Sequence, residues 1–290
     1  MTSNTAVRRR LVGQALHHYR HSFGFTVGDV AEVLGCDPSK ISRVETGQRG
    51  LKGEELRELL EWYGAPETEQ DMLLAVEEST RGVRPDWWQD YPAVLSGARL
   101  EYMVIEQYAA RVLAYAPQTV PDLLQAAGYA TSLAAATLAV PEGRETDAAD
   151  IAQLRQRRLV ETGRLELEAV VGEAALRLPV GDGQTMREQL QRLYELASGS
   201  RRVTVRVLRS LEGVPAAQGA GAFTVLRFDT PYPLGLVRLD GPGSGLCLDE
   251  RAAVDDYARA FIHLQSAALS PADSLDFIRR LTRGLGEDRT

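Results

Sequence analysis

Residues 38–46 read PSKISRVET, and four of them carry hydrogen-bond donors at helical spacing: Ser39, Ser42, Arg43 and Thr46. On a helix turning about 100° per residue, all four fall within about 60° of Ser39. Ile41 and Val44 fall on the opposite face, Glu45 lies at the edge of that face, and Lys40 lies on a flank. The outward face therefore holds hydroxyls and a guanidinium and no acid, whereas a solvated surface helix more often mixes acids into it. Such a face suits the major groove of DNA. Arginine bridges O6 and N7 of guanine, and serine serves either base type. The competing reading is a purely structural helical module.

The elements that would position this face can be read on either side of it. Thr26-Val27-Gly28-Asp29 has the form of a capping box, so a helix starts near 27. It stops at Gly35, and Asp37-Pro38 supplies the cap and first-turn proline of the next helix. Two short helices joined by a turn are the layout of a helix-turn-helix. Ala31 is small where the two would cross, and Val30, Leu34, Cys36, Ile41 and Val44 supply apolar contacts. Val7, Leu11, Ala15, Leu16, Tyr19 and Phe23 recur at helical spacing in front of them. A half-buried Glu45 needs a partner, and Arg20 on that first helix is the best candidate for a clamp. Arg8, Arg9, Arg10, Lys40, Arg49 and Lys52 are candidates for phosphate contacts, as is the start of the 27–34 helix with Thr26 at its cap.

The segment VGDVAEVLGCDPSKISRVETGQR resembles the bacterial xenobiotic-response-element domains, the phage repressor and Cro-like helix-turn-helix family. The likeness covers about residues 6–64, down to the I-S-R-V-E-T-G ending. It implies base reading by Ser39, Lys40, Ser42 and Arg43, with Thr46 and Arg49 nearer the backbone, and an arginine–glutamate clamp at Arg20 and Glu45. Val27 and Pro38 depart from the family, at positions where many relatives carry a glutamine and a polar base-reading residue.

Behind this head the pattern changes. Glu54–Tyr63 and Glu67–Glu78 read as two more helices, giving a five-helix, mostly α N-terminal domain over 1–80. Residues 81–98 carry Gly, Pro and clustered aromatics, including Trp87 and Trp88, and read as a linker with the tryptophans packed against the second domain. The remainder, 99–290, reads as a mixed α+β domain. Helices are expected over 99–116, 121–139, 147–163, 186–197 and 250–268, with a further start at Ser270-Pro271. Strands are expected at 165–171, 203–208, 223–228, 234–239 and 246–248, and 173–178 is ambiguous. Ala116-Pro-Gln-Thr-Val-Pro-Asp-Leu-Leu-Gln125, Gly128-Tyr-Ala130, Gly172–Arg177 and Met186-x-x-Gln-Leu190 resemble a family of unknown-function domains in high-GC bacteria, found in regulators described as antitoxin-like. This likeness implies a role in development or secondary metabolism and a small protein partner encoded nearby.

The chain's charge fits a local nucleic-acid face, not a coat. It has 290 residues and a net charge of −7, which argues against wholesale binding of nucleic acid. Residues 1–53 nonetheless carry eight Lys or Arg against four acids, and residues 54–80 carry one Arg against nine acids. Apolar residues at 44% and charged residues at 25% exclude a disordered or fibrous chain. Cys36 and Cys247 are too few for a disulfide framework, and each reads as a packed, inert thiol. No membrane span and no signal peptide is expected. His17 and His21 stand at i, i+4, but no third ligand joins them, so they read as solvated histidines and no metal is expected. Gly241–Gly245 reads as a hairpin turn, and Glu166, Glu168, Asp255 and Asp256 as solvated faces. No acid/base or nucleophile arrangement can be assembled, so neither catalysis nor a cofactor is expected. The expectation is a cytoplasmic, nucleoid-associated regulator that binds double-stranded DNA, most readily as a homodimer. The alternative is an antitoxin-like protein whose C-terminal domain holds a small protein partner.

Overall fold

The computed structural model describes residues 4–79, 90–94, 97–137, 140–157, 165–210, 218–230, 234–241 and 245–287. The contacts divide the chain into two compact units. The first holds Met1–Ala109 together with Arg227–Leu236 and Cys247–Arg251; the second holds Ala110–Leu226, Val237–Leu246 and Ala252–Thr290. This division does not coincide with the expected boundary at 98, and two later segments group with the head. Trp87 and Trp88 lie outside the described residues.

The first unit is helical. It contains α1 (Asn4–Ser22), α2 (Val27–Val33), α3 (Pro38–Glu45), α4 (Gly53–Trp62), α5 (Glu67–Ser79) and α6 (Gly97–Glu106). Leu11, Ala15, Leu16 and Tyr19 share one face of α1 and are all buried, which is why α1 forms the spine of the unit. Val30 and Ala31 of α2, Ile41 and Val44 of α3, and Leu56, Leu59 and Leu60 of α4 complete the core. Phe23 does not join it: it lies past the end of α1 and is 55% exposed. The caps are local. The Thr26 hydroxyl accepts from the Asp29 N–H at 3.2 Å, and the Asp29 carboxylate accepts from the Thr26 N–H at 2.6 Å. Asp37 accepts from the Ser39 N–H at 2.8 Å with Pro38 in the first turn. Gly35 sits at φ 56°, the left-handed conformation that ends α2 and that a side chain would resist.

A six-stranded sheet in the order β3-β2-β1-β4-β5-β6 follows, most of whose residues belong to the second unit. The strands are β1 (Arg111–Ala116), β2 (Glu166–Gly172), β3 (Val203–Leu208), β4 (Phe223–Arg227), β5 (Gly235–Leu239) and β6 (Leu246–Leu248). β1 and β2 run parallel with Tyr115 beside Val170, and β2 and β3 run parallel with Val170 beside Arg206. Parallel neighbours need long crossovers. Here they are α7 (Ala127–Ala135) with α8 (Glu145–Gln156), and α9 (Glu173–Arg177) with α10 (Gly183–Gly199). Two terminal helices follow, α11 (Arg251–Ala267) and α12 (Pro271–Glu287). The exposed edge of β3 is closed by the turn between them: the Leu269 N–H donates to the Val207 carbonyl at 2.9 Å, and the Val207 N–H donates to the Ser274 hydroxyl at 2.9 Å.

The expected helix over 99–116 is corrected by β1. Its residues Val112–Ala116 are buried without interruption, because neighbours cover both faces of a strand inside the sheet. A continuous apolar run carries no period of two, so sequence alone does not separate it from a buried helix. The span 121–139 divides into a 3-10 turn at Asp122–Leu124 and α7, and 173–178 resolves as α9. Of the expected solvated acids, Glu168 is instead engaged: Arg111 donates to it through Nε at 2.9 Å, and Gln265 through Nε2 at 2.8 Å.

Candidate nucleic-acid interface

α3 is held at both ends and along one side. Its N-terminus is capped by Asp37, and its carboxyl end is followed by Gly47 at φ 71°. Ile41 and Val44 are 2% exposed each and seat the helix on the core. Gly13 of α1 allows the closest approach. A Cβ there would lie 2.4 Å from the Val44 carbonyl oxygen and 2.6 Å from that of Glu45, so only glycine fits where α1 crosses the end of α3. Sequence reasoning missed this position. Its one visible signal is a glycine inside an otherwise regular helical period.

Arg20 and Glu45 are brought together. Arg20 Nε donates to Glu45 Oε1 at 2.7 Å and Nη2 to Oε2 at 2.9 Å, while Nη1 donates to the Phe25 carbonyl at 3.1 Å. The fork-to-fork geometry fixes orientation as well as distance. The two side chains retain only 14% and 6% of their exposure, and the bond to Glu45 raises the Arg20 pKa against the opposing effect of burial.

The outward face is open. Ser39, Ser42, Arg43 and Thr46 are all exposed. Arg43 lies back along its own helix, with Nε donating to the Ser39 carbonyl at 3.1 Å and Nη2 to the Ser39 hydroxyl at 3.2 Å. The Thr46 hydroxyl donates to the Ser42 carbonyl at 2.9 Å. Lys40 is less available: its Nζ donates to Glu55 Oε1 at 2.7 Å. Burial works to raise the Glu55 pKa, yet the Lys40 bond, the Lys52 backbone N–H and both ammonium charges hold it below the ordinary carboxylate value.

Beside α3 an open cleft of about 410 Å³ is lined by Arg9, Lys40, Gln48, Arg49, Lys52 and Glu55, among others. Arg49 and Lys52 are exposed there and Arg9 is half-buried. Two other candidate phosphate contacts are corrected. Arg8 is buried, at 6% exposure. Arg10 is held by Asp249, with Nε at 2.8 Å from Oδ2 and Nη2 at 2.8 Å from Oδ1, and Asp249 lies 239 residues away in sequence. Thr26 is engaged in its cap, and the Asp29 carboxylate already occupies the start of α2, where an incoming phosphate would otherwise be favoured.

The His17 and His21 rings lie 6.0 Å apart, and among the described residues no group of three or more His, Cys, Asp or Glu is placed to hold a metal ion. Cys36 and Cys247 are both half-buried. Among the described residues no helix is long and apolar enough to cross a membrane.

A family model described as a helix-turn-helix domain matches residues 11–73, which contain α2, α3 and the whole of α4. A second, described as a domain of unknown function (DUF5753), matches residues 100–280, more than half of the chain. The chain belongs to the DUF5753 family. The DUF5753 match takes in all six strands, and the helix-turn-helix match supports a DNA-binding regulator that carries this domain behind its head. Comparison with curated proteins and with solved structures gave no match.

Proposed function

We propose that this DUF5753 chain is a sequence-specific transcriptional regulator of the xenobiotic-response-element type, reading the major groove with α3 as a homodimer. In this reading Arg43 contacts a guanine edge, Ser39 and Ser42 contact neighbouring bases, and Thr46, Arg49 and Lys52 contact the backbone. Lys40 contributes only when its bond to Glu55 opens. The chain works in the cytoplasm on nucleoid DNA, needs no cofactor and catalyses no reaction. The resemblance of its C-terminal part to antitoxin-like regulators supports a role in development or secondary metabolism. Two copies of α3 would lie about 34 Å apart, one turn of DNA.

The observation that carries this reading is the exposed, acid-free face of α3, buttressed from behind by the Arg20–Glu45 pair. Its test is Arg43→Ala, with affinity for a selected operator and for a random duplex measured by fluorescence anisotropy. The operator complex is expected to lose about 1–3 kcal/mol while random binding changes little. Equal losses on both duplexes would remove the base-reading role.

A second reading, an antitoxin-like protein that holds a small partner, is favoured by one feature. Glu54, Glu58 and Glu61 share the outward face of α4 with Trp62, and all four are exposed. An acidic stripe ending in an exposed aromatic ring suits a basic, apolar partner surface. Co-purification of a neighbour-encoded small protein that is lost in the Trp62→Ala variant would favour this reading, as would the absence of a footprint on the chain's own promoter.

A further inference from the structure

Glu55 is an acid set among the cations beside α3. It stands in the first turn of α4 and lines the same cleft as Arg9, Lys40, Arg49 and Lys52, with Glu77 of α5 as the other acid there. Both of its carboxylate oxygens are engaged. Oε1 accepts from Lys40 Nζ at 2.7 Å, and Oε2 accepts from the Lys52 backbone N–H at 3.0 Å. The second bond is local to the start of α4 and anchors the carboxylate. The first draws the Lys40 ammonium to it, and the two side chains keep only 14% and 27% of their exposure. Burial opposes the charge on Glu55, but the bonds from Lys40 and Lys52 outweigh it, so the carboxylate stays ionised.

A lysine is a compact point charge on a flexible stem, so an unheld one reaches whatever phosphate is near. Such contacts carry no sequence information and add to the binding of every duplex. On an operator, base contacts from Ser39, Ser42 and Arg43 would fix α3 in the groove, and that register would set which phosphates Lys40 can reach. A random duplex fixes no register, and a loose cation can settle on any phosphate. Holding Lys40 therefore lowers random binding more than operator binding. We propose that Glu55 is a positioning residue that sets specificity: by holding Lys40 it withholds one cation from sequence-independent phosphate contact. This inference rests on the DNA-binding reading and assigns a share of its selectivity to a residue that contacts no base.

The test is fluorescence anisotropy of the full chain on a selected operator and on a random duplex, across a series of salt concentrations. Glu55→Gln keeps the cap of α4, since a glutamine oxygen also accepts from the Lys52 N–H; an unchanged circular dichroism spectrum checks the fold. It is expected to tighten random binding about fivefold at about 0.15 M salt, and to steepen the slope of log affinity against log salt by about 1. The operator is expected to gain less than about twofold. In a Lys40→Met background, Glu55→Gln is expected to gain nothing. Three results overturn the proposal: unchanged random binding and slope in Glu55→Gln, an equal gain on both duplexes, or a gain that survives without Lys40. The last would assign the effect to the field of the carboxylate at Arg49 and Lys52. A parent chain that binds neither duplex overturns the DNA-binding reading and the proposal together. A parent chain that tells operator from random, while Glu55→Gln behaves like it, overturns the proposal alone.

Discussion

Lys40 and Arg43 stand three residues apart on one helix, yet their surroundings differ. Arg43 is exposed and donates to Ser39, whereas Lys40 is tied to Glu55. Proximity to the groove is therefore not enough; a cation must also be free of competing acids. Lys52 is a candidate for phosphate contact because it is exposed and lines the cleft beside α3, which it shares with Glu55. Lys52→Ala is expected to weaken operator and random duplexes alike and to reduce the slope of log affinity against log salt by about 1. A titration series across salt concentrations reads this directly, and an unchanged slope removes Lys52 from the interface. The Arg20–Glu45 pair acts on stability instead. Arg20→Ala leaves Glu45 buried without its fork and is expected to cost about 3 kcal/mol in urea unfolding. A loss well below about 1 kcal/mol would mean that water replaces the arginine there.

At the scale of elements, the angle of α3 depends on how closely α1 can approach it. Gly13 faces backbone carbonyls, which cannot rotate aside as a side chain tip can. Gly13→Ala is therefore expected to destabilise the first unit by about 1–3 kcal/mol and to weaken DNA binding by tilting α3. Melting temperature and affinity report the two effects, and a variant as stable as the parent would show that the crossing is looser than these distances imply. The caps that bound α2 and α3 were legible in the sequence because Thr26 with Asp29, and Asp37 with Ser39, act over two or three residues. β1 was not legible, because its neighbours β2 and β4 are distant in sequence and an unbroken apolar stretch has no face to reveal. The clamp lies between these cases. Glu45 at the edge of an apolar face demanded a cation, and Arg20 on α1 was the best candidate.

Several carboxylates across the two units are held below their ordinary pKa, whereas burial raises that of Asp240. Backbone and side-chain bonds from Thr26 lower Asp29, those from Ser39 lower Asp37, and Glu55 and Glu173 are lowered by hydrogen bonds and nearby cations that outweigh burial. A depressed carboxylate releases its proton more readily in the folded chain. Its contribution is therefore complete above the ordinary values of 3.8 for Asp and 4.5 for Glu and is lost as the pH falls through the folded value. The melting temperature is expected to hold steady near neutrality and to fall from about pH 4.5 downward, with a shallower fall in Asp37→Asn. A melting temperature indifferent to pH down to about 3 would contradict the assigned bonds.

Local chemistry settled a good deal about this protein without coordinates: two short capped helices, the face of the second that carries Ser39, Ser42, Arg43 and Thr46, and the change to mixed α and β behind them. These depend on neighbours within one turn or one strand, and short-range spacing records them. The fate of each charge was decided only in three dimensions. Arg8 went into the interior, Arg10 to Asp249, Lys40 to Glu55, and Arg177, Arg209 and Arg280 to one cleft. A charged side chain reaches whatever acid the fold brings within a few ångströms, and no local period encodes which one that is.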